Sequence, residues 1–317
     1  MPLVILRIAI SLISAAAVAA CGLLSSTYEG KGAPGEAAIV PLKSERPLIG
    51  LALGGGGARG FAHIGVIKAL EAAGIKPDII TGSSSGAVIA ALYAAGHNGQ
   101  ELENIAIALN RDELVDFALF GRGWVLGEAL QDFVNRMVSN RPIESLGRPF
   151  AVVATAAKSG RMTVFNRGNT GVAVRASASV PNLFVPPVIN GEEFVDGGLT
   201  SPVPVRTARA MGADIVIAVD ISWFAQARGE LSAGIARHGR SGRYVLLNDE
   251  LASADVVITP RTVYTRMLDF DQKGANIAAG DEAARAALTQ LKDIIARIAA
   301  GKRAPPQAAI APEASVR

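Results

Sequence analysis

Ser84 stands at the centre of Gly82-Ser83-Ser84-Ser85-Gly86, a G-x-S-x-G stretch that follows the apolar pair Ile79-Ile80 and precedes the small-residue run from Ala87 to Ala95. Strand, tight turn and helix are the setting of a nucleophile elbow, in which the central serine is strained and its hydroxyl points out. Gly82 and Gly86 fall where a Cβ would collide with the neighbouring strand and helix. A second stretch, Gly54-Gly55-Gly56-Gly57-Ala58-Arg59-Gly60, runs from the apolar segment Leu48–Leu53 into a helical pattern that starts at Phe61. Glycines feeding a helix N-terminus expose backbone N–H groups to negative charge. Gly55, Gly57 and Gly60 match a dinucleotide fingerprint, but Asp78, at about the right distance, opens the next strand instead of closing it. A P-loop is excluded by the missing Gly-Lys-Ser/Thr ending. The third chemistry is an oxyanion hole for acyl transfer, built from N–H groups near Gly55, Gly56 and Gly57. If the two strands are parallel neighbours, this reading alone uses both motifs.

A serine nucleophile needs a base, and the chain has three histidines. His63 lies in the helix after the glycine loop and reads as structural. His97 follows Gly96 at a helix end, where a cation suits the dipole. His238 comes late enough for a Ser–Asp–His order, but it sits in Arg237–Gly242, a stretch with the character of a solvated loop. The alternative is a carboxylate acting directly. Asp196-Gly197-Gly198 ends a strand that returns from the hairpin signal Asn190-Gly191, although Asp-Gly-Gly alone is also an ordinary turn.

The elements that must position these groups are legible as runs of strand length: the fully apolar Leu48–Leu53, and the expected buried strands Phe150–Thr155, Asp214–Asp220 and Ala254–Thr259. Met162–Phe165 is expected to pair with the second of them. Residues 97–147 read as partly amphipathic helices, 223–250 as helix and surface loop, and Ala275 to Ala300 as a long closing helix. Phe117, Phe120 and Trp124 are expected in the core in preference to an acyl-binding face. With 50% apolar and 19% charged residues and 34 glycines, the 317-residue chain suits an α/β protein with a buried parallel sheet. The net charge of +3 and the lack of a basic, aromatic-interleaved stripe argue against nucleic acid. A single cysteine excludes an intramolecular disulfide and a cysteine-based metal cluster. No metal or other cofactor is expected.

Three motifs in this order, Gly54–Gly60, Gly82–Gly86 and Asp196–Gly198, each at a strand end, resemble the patatin-like phospholipase family. Arg175-Ala176-Ser177 followed by Pro181 and Phe184–Pro187 is similar to a further family segment. The resemblance covers Leu48 to Val205 and, more loosely, the later strands. It departs at Thr155-Ala156-Ala157, where relatives often carry an acid. It implies a three-layer α/β/α fold with a mostly parallel central sheet and a Ser–Asp dyad, with Ser84 as nucleophile and Asp196 as general base. The Gly55–Gly57 loop would form the oxyanion hole, shaped by Arg59 and Gly60, and Gly197 and Gly198 would support the aspartate. The implied activity is hydrolysis of lipid acyl esters, phospholipids or lysophospholipids. A lipoprotein adaptor on the same fold is the competing expectation, and the intact Ser84, Asp196 and glycine loop speak against it.

Arg7 and the apolar run Ile8 to Ala20 fit a signal peptide, too short and too rich in small residues for a membrane span. It ends Val18-Ala19-Ala20-Cys21-Gly22, which resembles a bacterial lipobox. Residues 1–20 are therefore expected to be removed and Cys21 to be acylated, which meets the requirement for stable membrane anchoring. Gly22 in place of an aspartate resembles sorting to the periplasmic face of an outer membrane in a two-membrane cell. Residues 21–46 are read as the lipidated cysteine and a flexible tether, 47–300 as one hydrolase domain with its motif core at 48–210, and 301–317 as a disordered tail.

Overall fold

The computed structural model describes residues 25–118, 123–222, 241–263 and 266–303. Along the chain these form β1 (Thr27–Tyr28), β2 (Ile49–Leu53), α1 (Ala62–Ala72), β3 (Ile79–Ser83), α2 (Ser85–Ala95), α3 (Gly99–Ala108), α4 (Glu128–Met137), β4 (Phe150–Ala156) and β5 (Met162–Phe165). There follow α5 (Thr170–Ala178), β6 (Val188–Ile189), β7 (Glu192–Val195), α6 (Val205–Ala210), β8 (Ile215–Val219), α7 (Ser241–Ala252), β9 (Val256–Ile258) and α8 (Lys273–Arg303). The strands make one sheet in the order β1-β6-β7-β4-β3-β2-β8-β9, with β5 also paired to β4. From β4 to β9 along this order all pairings are parallel. β5 and β7 run antiparallel to β4. The β6–β7 turn has Asn190 at φ 49° and Gly191 at φ 80°, the left-handed pair that a two-residue hairpin demands.

The central strands are apolar on both faces because both faces are covered. Leu51, Leu53, Ile80, Val152 and Ile217 join Ile64, Leu92, Val172 and Ile277 in one core, under α1, α2, α5 and α8. Ala52, Ile79, Ala151, Val216 and Ala218 turn the other way and meet Val205, Ala208, Leu247 and Leu251 of α6 and α7. This is the three-layer α/β/α arrangement. Two glycines allow α8 to close against α1: a Cβ at Gly65 or Gly280 would lie 1.9 Å from a carbonyl oxygen of the opposite helix.

The structure corrects several expectations. The part of the supposed tether that is described, 25–46, is a strap bonded along the body. Thr27–Tyr28 pairs with β6, Gly35 N–H donates to Arg167 O, Ala37 N–H to Asn166 Oδ1 and Leu42 N–H to Met211 O. Its composition is that of a linker, but backbone groups need no side-chain pattern to bond. Between α3 and α4 the chain forms a short ribbon, 115–118 against 124–126, where helix was expected. α8 extends to Arg303, three residues into the expected tail. Residues 1–24 with Cys21, Phe120, 304–317 and the His238 loop lie outside the described residues. Among the described residues no helix is long and apolar enough to cross a membrane.

Candidate active site

Parallel pairing sets Leu53 of β2 beside Gly82 of β3, so the glycine loop and the serine turn leave the same edge of the sheet. Asp196 reaches that edge by the opposite route. Ser83 is level with Val153 of β4, and Val195 of antiparallel β7 is level with Thr155. The residues that follow, Ser84 and Asp196, therefore converge on the level of Ala154. Ser84 Oγ donates to Asp196 Oδ2 at 2.6 Å. Both residues are buried, Ser84 at 8% exposure and Asp196 at 2%.

Each partner is held through its own backbone. Ser84 adopts φ 53°, ψ −129°, a conformation that costs of order 1–3 kcal/mol in a residue with a Cβ. A Cβ at Gly82 would sit 2.5 Å from Ala87 Cα, and one at Gly86 2.2 Å from Leu53 O, so both glycines are required for the turn to close. Ser84 N–H donates to Ser177 Oγ on α5 at 2.8 Å. Asp196 caps the short 3-10 turn Gly197–Leu199, with Oδ1 accepting from Gly198 N–H at 2.7 Å. That leaves Oδ2 aimed at the serine. A Cβ at Gly197 would lie 2.0 Å from Val153 O, so the aspartate's turn packs directly on β4. Asp196 N–H donates to Ser179 O, and Asp196 O accepts from Thr155 Oγ1, the position that departs from the family pattern.

The loop's N–H groups are not equivalent. Gly54 N–H donates to Val219 O, Gly55 N–H to Pro202 O and Ala58 N–H to Met267 O. Gly55 is thereby corrected from oxyanion donor to spacer, since a Cβ there would meet Ser84 Cβ at 2.8 Å. Gly56 N–H donates to Ser85 Oγ, a hydroxyl that can rotate away. Gly57 N–H donates to no acceptor of the loops around it among the described residues, and Gly57 lines the same cavity as Ser84. Arg59 Nε donates to Gly56 O and fixes the loop's curvature. Gly60 brings the loop against α2, a Cβ there lying 2.9 Å from Ser85 Cβ.

From Ser84 an apolar cavity runs between the helices and opens to solvent. Val88, Ile89 and Leu92 give one wall along α2, Leu102 and Ile105 of α3 another, and Leu130 and Phe133 of α4 a third. Its polar groups gather at one end, around Ser84, Ser85 and the glycine loop. Among the described residues no three His, Cys, Asp or Glu side chains are placed to hold a metal ion.

Comparison with known proteins agrees with this geometry. Residues 51–209 match the family model described as patatin-like phospholipase. The chain belongs to the patatin-like phospholipase family. It is 37% identical over 192 residues to an uncharacterized NTE family protein of Mycobacterium tuberculosis, covering 60% of this chain and 53% of that one. It is 36% identical over 182 residues to human patatin-like phospholipase domain-containing protein 6, covering 55% of this chain and 13% of that one. The chain thus spans about half the length of the first relative and a small part of the second. Among solved structures VipD from Legionella pneumophila superposes with a TM-score of 0.54 at 14% identity, over 83% of this chain and 71% of that one, a likeness of fold.

Within this patatin-like frame, His63 is structural. It is wholly buried on α1, with Nε2 2.8 Å from Gly54 O. A carbonyl only accepts, so the proton is on Nε2 and the ring braces the start of the glycine loop. Burial pushes its pKa down from 6.5 to about 4, against the smaller upward pull of the Gly54 bond. The unfolded chain binds a proton near pH 6.5 and the folded chain does not. Folding stability is therefore full above pH 6.5 and falls by about 3 kcal/mol as pH drops toward 4. Urea unfolding at a series of pH values should show that slope, and His63→Asn should flatten it. His97, in contrast, sits at the exposed end of α2 with Nε2 on Met137 O, remote from the dyad.

Asp78 serves structure as well, accepting from Ile49 N–H and pairing with Arg46, which removes the dinucleotide reading. Phe117 and Trp124 are not core: they are 61% and 71% exposed, while Val115 and Val125 of the same ribbon are buried. Two contributors had no legible motif. Ser177 lies in a segment marked only by family likeness. Met267, Leu268 and Phe270 wall the cavity from a loop without periodicity, and Phe61 against Phe270, 5.3 Å between ring centres, is their only patterned trace.

Proposed function

We propose that this protein is a serine hydrolase of lipid acyl esters, of phospholipase or lysophospholipase type, using a Ser84–Asp196 dyad. The observation that carries the reading is the 2.6 Å bond from a strained elbow serine to a buried carboxylate at the polar end of an apolar cavity. Ser84 Oγ attacks the ester carbonyl carbon as its proton passes to Asp196 Oδ2. The carbonyl oxygen becomes an oxyanion facing Gly57 N–H, with Gly56 N–H joining once Ser85 Oγ turns aside. Collapse expels the alcohol, which takes the proton from Asp196 and leaves an acyl-serine. Water then attacks the acyl carbon, gives its proton to Asp196, and the fatty acid departs as Ser84 recovers that proton. The acyl chain lies in the cavity, where each methylene contributes about 0.8 kcal/mol to binding.

The lipobox-like junction supports a further part of the proposal. Cys21 is acylated, and the mature chain is anchored in a bacterial envelope, at the periplasmic face of the outer membrane in a two-membrane cell. The test is fatty-acid release from mixed phospholipid vesicles and hydrolysis of short-chain esters by the mature chain, beside Ser84→Ala. Release that vanishes in the variant supports the hydrolase. A folded protein that releases nothing from either substrate overturns it in favour of an adaptor.

A further inference from the structure

Three of the apolar side chains left in water, Phe117, Trp124 and Met267, belong to the ribbon and the loop that help to wall the cavity. Phe117 bridges Val125 across the ribbon, and Ala118 N–H donates to Trp124 O. Val115 and Val125 of this ribbon are buried against Phe184, and Val115 and Phe184 line the cavity. Phe117, with Arg111 over its ring, and Trp124 stand exposed on this ribbon. Met267, 43% exposed, lines the cavity itself and sits on the glycine loop through its carbonyl. Two exposed aromatics on a ribbon that lends Val115 to the wall of an apolar cavity mark contact with an apolar partner.

The entry of the chain says which partner. Ser26 Oγ donates to Glu128, four residues beyond Trp124. Tyr28 of β1 donates to Gln131 Oε1 at 2.6 Å and accepts from the buried Arg175. The strap is therefore fixed at Ser26, within on the order of 14 Å of Trp124 along the chain. Cys21 precedes Ser26 by five residues, a reach of about 18 Å at full extension. A link that short cannot let the body roll freely above a membrane.

We propose that the exposed end of this ribbon, with Phe117 and Trp124, and the neighbouring Met267 form a membrane-contact surface, and that the strap turns the cavity mouth toward the same membrane that holds Cys21. This rests on the lipid-hydrolase reading and on acylation of Cys21. Tryptophan favours the bilayer interface, where its ring is half wet. An acyl chain crossing from bilayer to cavity past such a rim avoids water, which would cost about 0.8 kcal/mol per exposed methylene. The substrate is thus drawn from the anchoring bilayer.

Two measurements test this, one of them independent of catalysis. In the lipidated chain carrying Trp223→Phe, Trp124 is the sole tryptophan, and vesicles of brominated phosphatidylcholine should quench its fluorescence strongly. Fluorescence unaffected by the brominated lipid would overturn the orientation. Separately, Phe117→Ser with Trp124→Ser should lower fatty-acid release from vesicles about tenfold, while hydrolysis of a soluble butyrate ester stays within about twofold of the parent. Equal release from vesicles by parent and variant would overturn the contact surface. A parent that cleaves neither substrate while Trp124 is quenched would remove the hydrolase reading and keep the surface.

Discussion

Asp196→Asn is expected to lower kcat for ester hydrolysis by about 10⁴-fold, close to the loss in Ser84→Ala, with KM little changed. Asparagine has the size of aspartate and keeps an oxygen for Gly198 N–H, so the turn Gly197–Leu199 survives. What it lacks is a site for the serine's proton. If its amide nitrogen takes the place of Oδ2, it donates toward Ser84 Oγ and holds the hydroxyl in the wrong sense. Ground-state binding comes mainly from the apolar walls of the cavity on α2, α3 and α4, which neither substitution touches. Because the two groups act as one unit, the double variant should be hardly worse than either single one. Circular dichroism and a urea midpoint within about 1 kcal/mol of the parent would show that chemistry and not folding was lost. An Asp196→Asn enzyme with a tenth of parental kcat would place the general base elsewhere.

The reasons this site could be read from sequence are local. Ser84, the glycine loop and Asp196 each sit in a short segment whose backbone geometry demands glycine, and such demands leave marks in a sequence. Gly86 lies against Leu53 O and Gly197 against Val153 O, so these motifs record contacts between strands far apart in the chain. The buried strands were equally legible, since β2 and β8 are covered on both sides and carry no polar alternation. The order of those strands was not, because a central apolar strand looks the same in any position. The strap escaped for a different reason. Its bonds run mostly through backbone groups and through Glu36 and Asn166, polar residues that a composition argument assigns to loops. Gly55 shows the limit of motif reading: its glycine is required, but for room beside Ser84, its N–H being held by Pro202 O.

Arg175→Ala is expected to cost about 3–5 kcal/mol of folding stability, the usual consequence of removing one member of a buried polar cluster. The guanidinium is completely buried. Nη2 donates to Leu126 O at 2.6 Å, and Nη1 to Tyr28 Oη at 2.9 Å and to Gln131 Oε1 at 3.4 Å. Glu128 lies 3.8 Å away, partly exposed. One side chain thereby joins the strap, the ribbon's exit and α4, and alanine would leave Leu126 O and Tyr28 Oη without this donor while opening a cavity; Gln131 Oε1 would keep Tyr28. Lysine should recover only part of the loss, because a single ammonium cannot reproduce the fork that reaches Leu126 and Tyr28 together. The effect should also reach catalysis. α5 carries Arg175 and, two residues on, Ser177, whose hydroxyl holds Ser84 N–H. A helix loosened at Arg175 leaves the strained elbow less firmly held, so kcat should fall even at temperatures where the variant is folded. Urea unfolding and kcat measured on the same preparation would check both effects. A variant within about 1 kcal/mol of the parent would mean that Tyr28 and Leu126 find other partners, and that the strap's remaining bonds suffice to hold it.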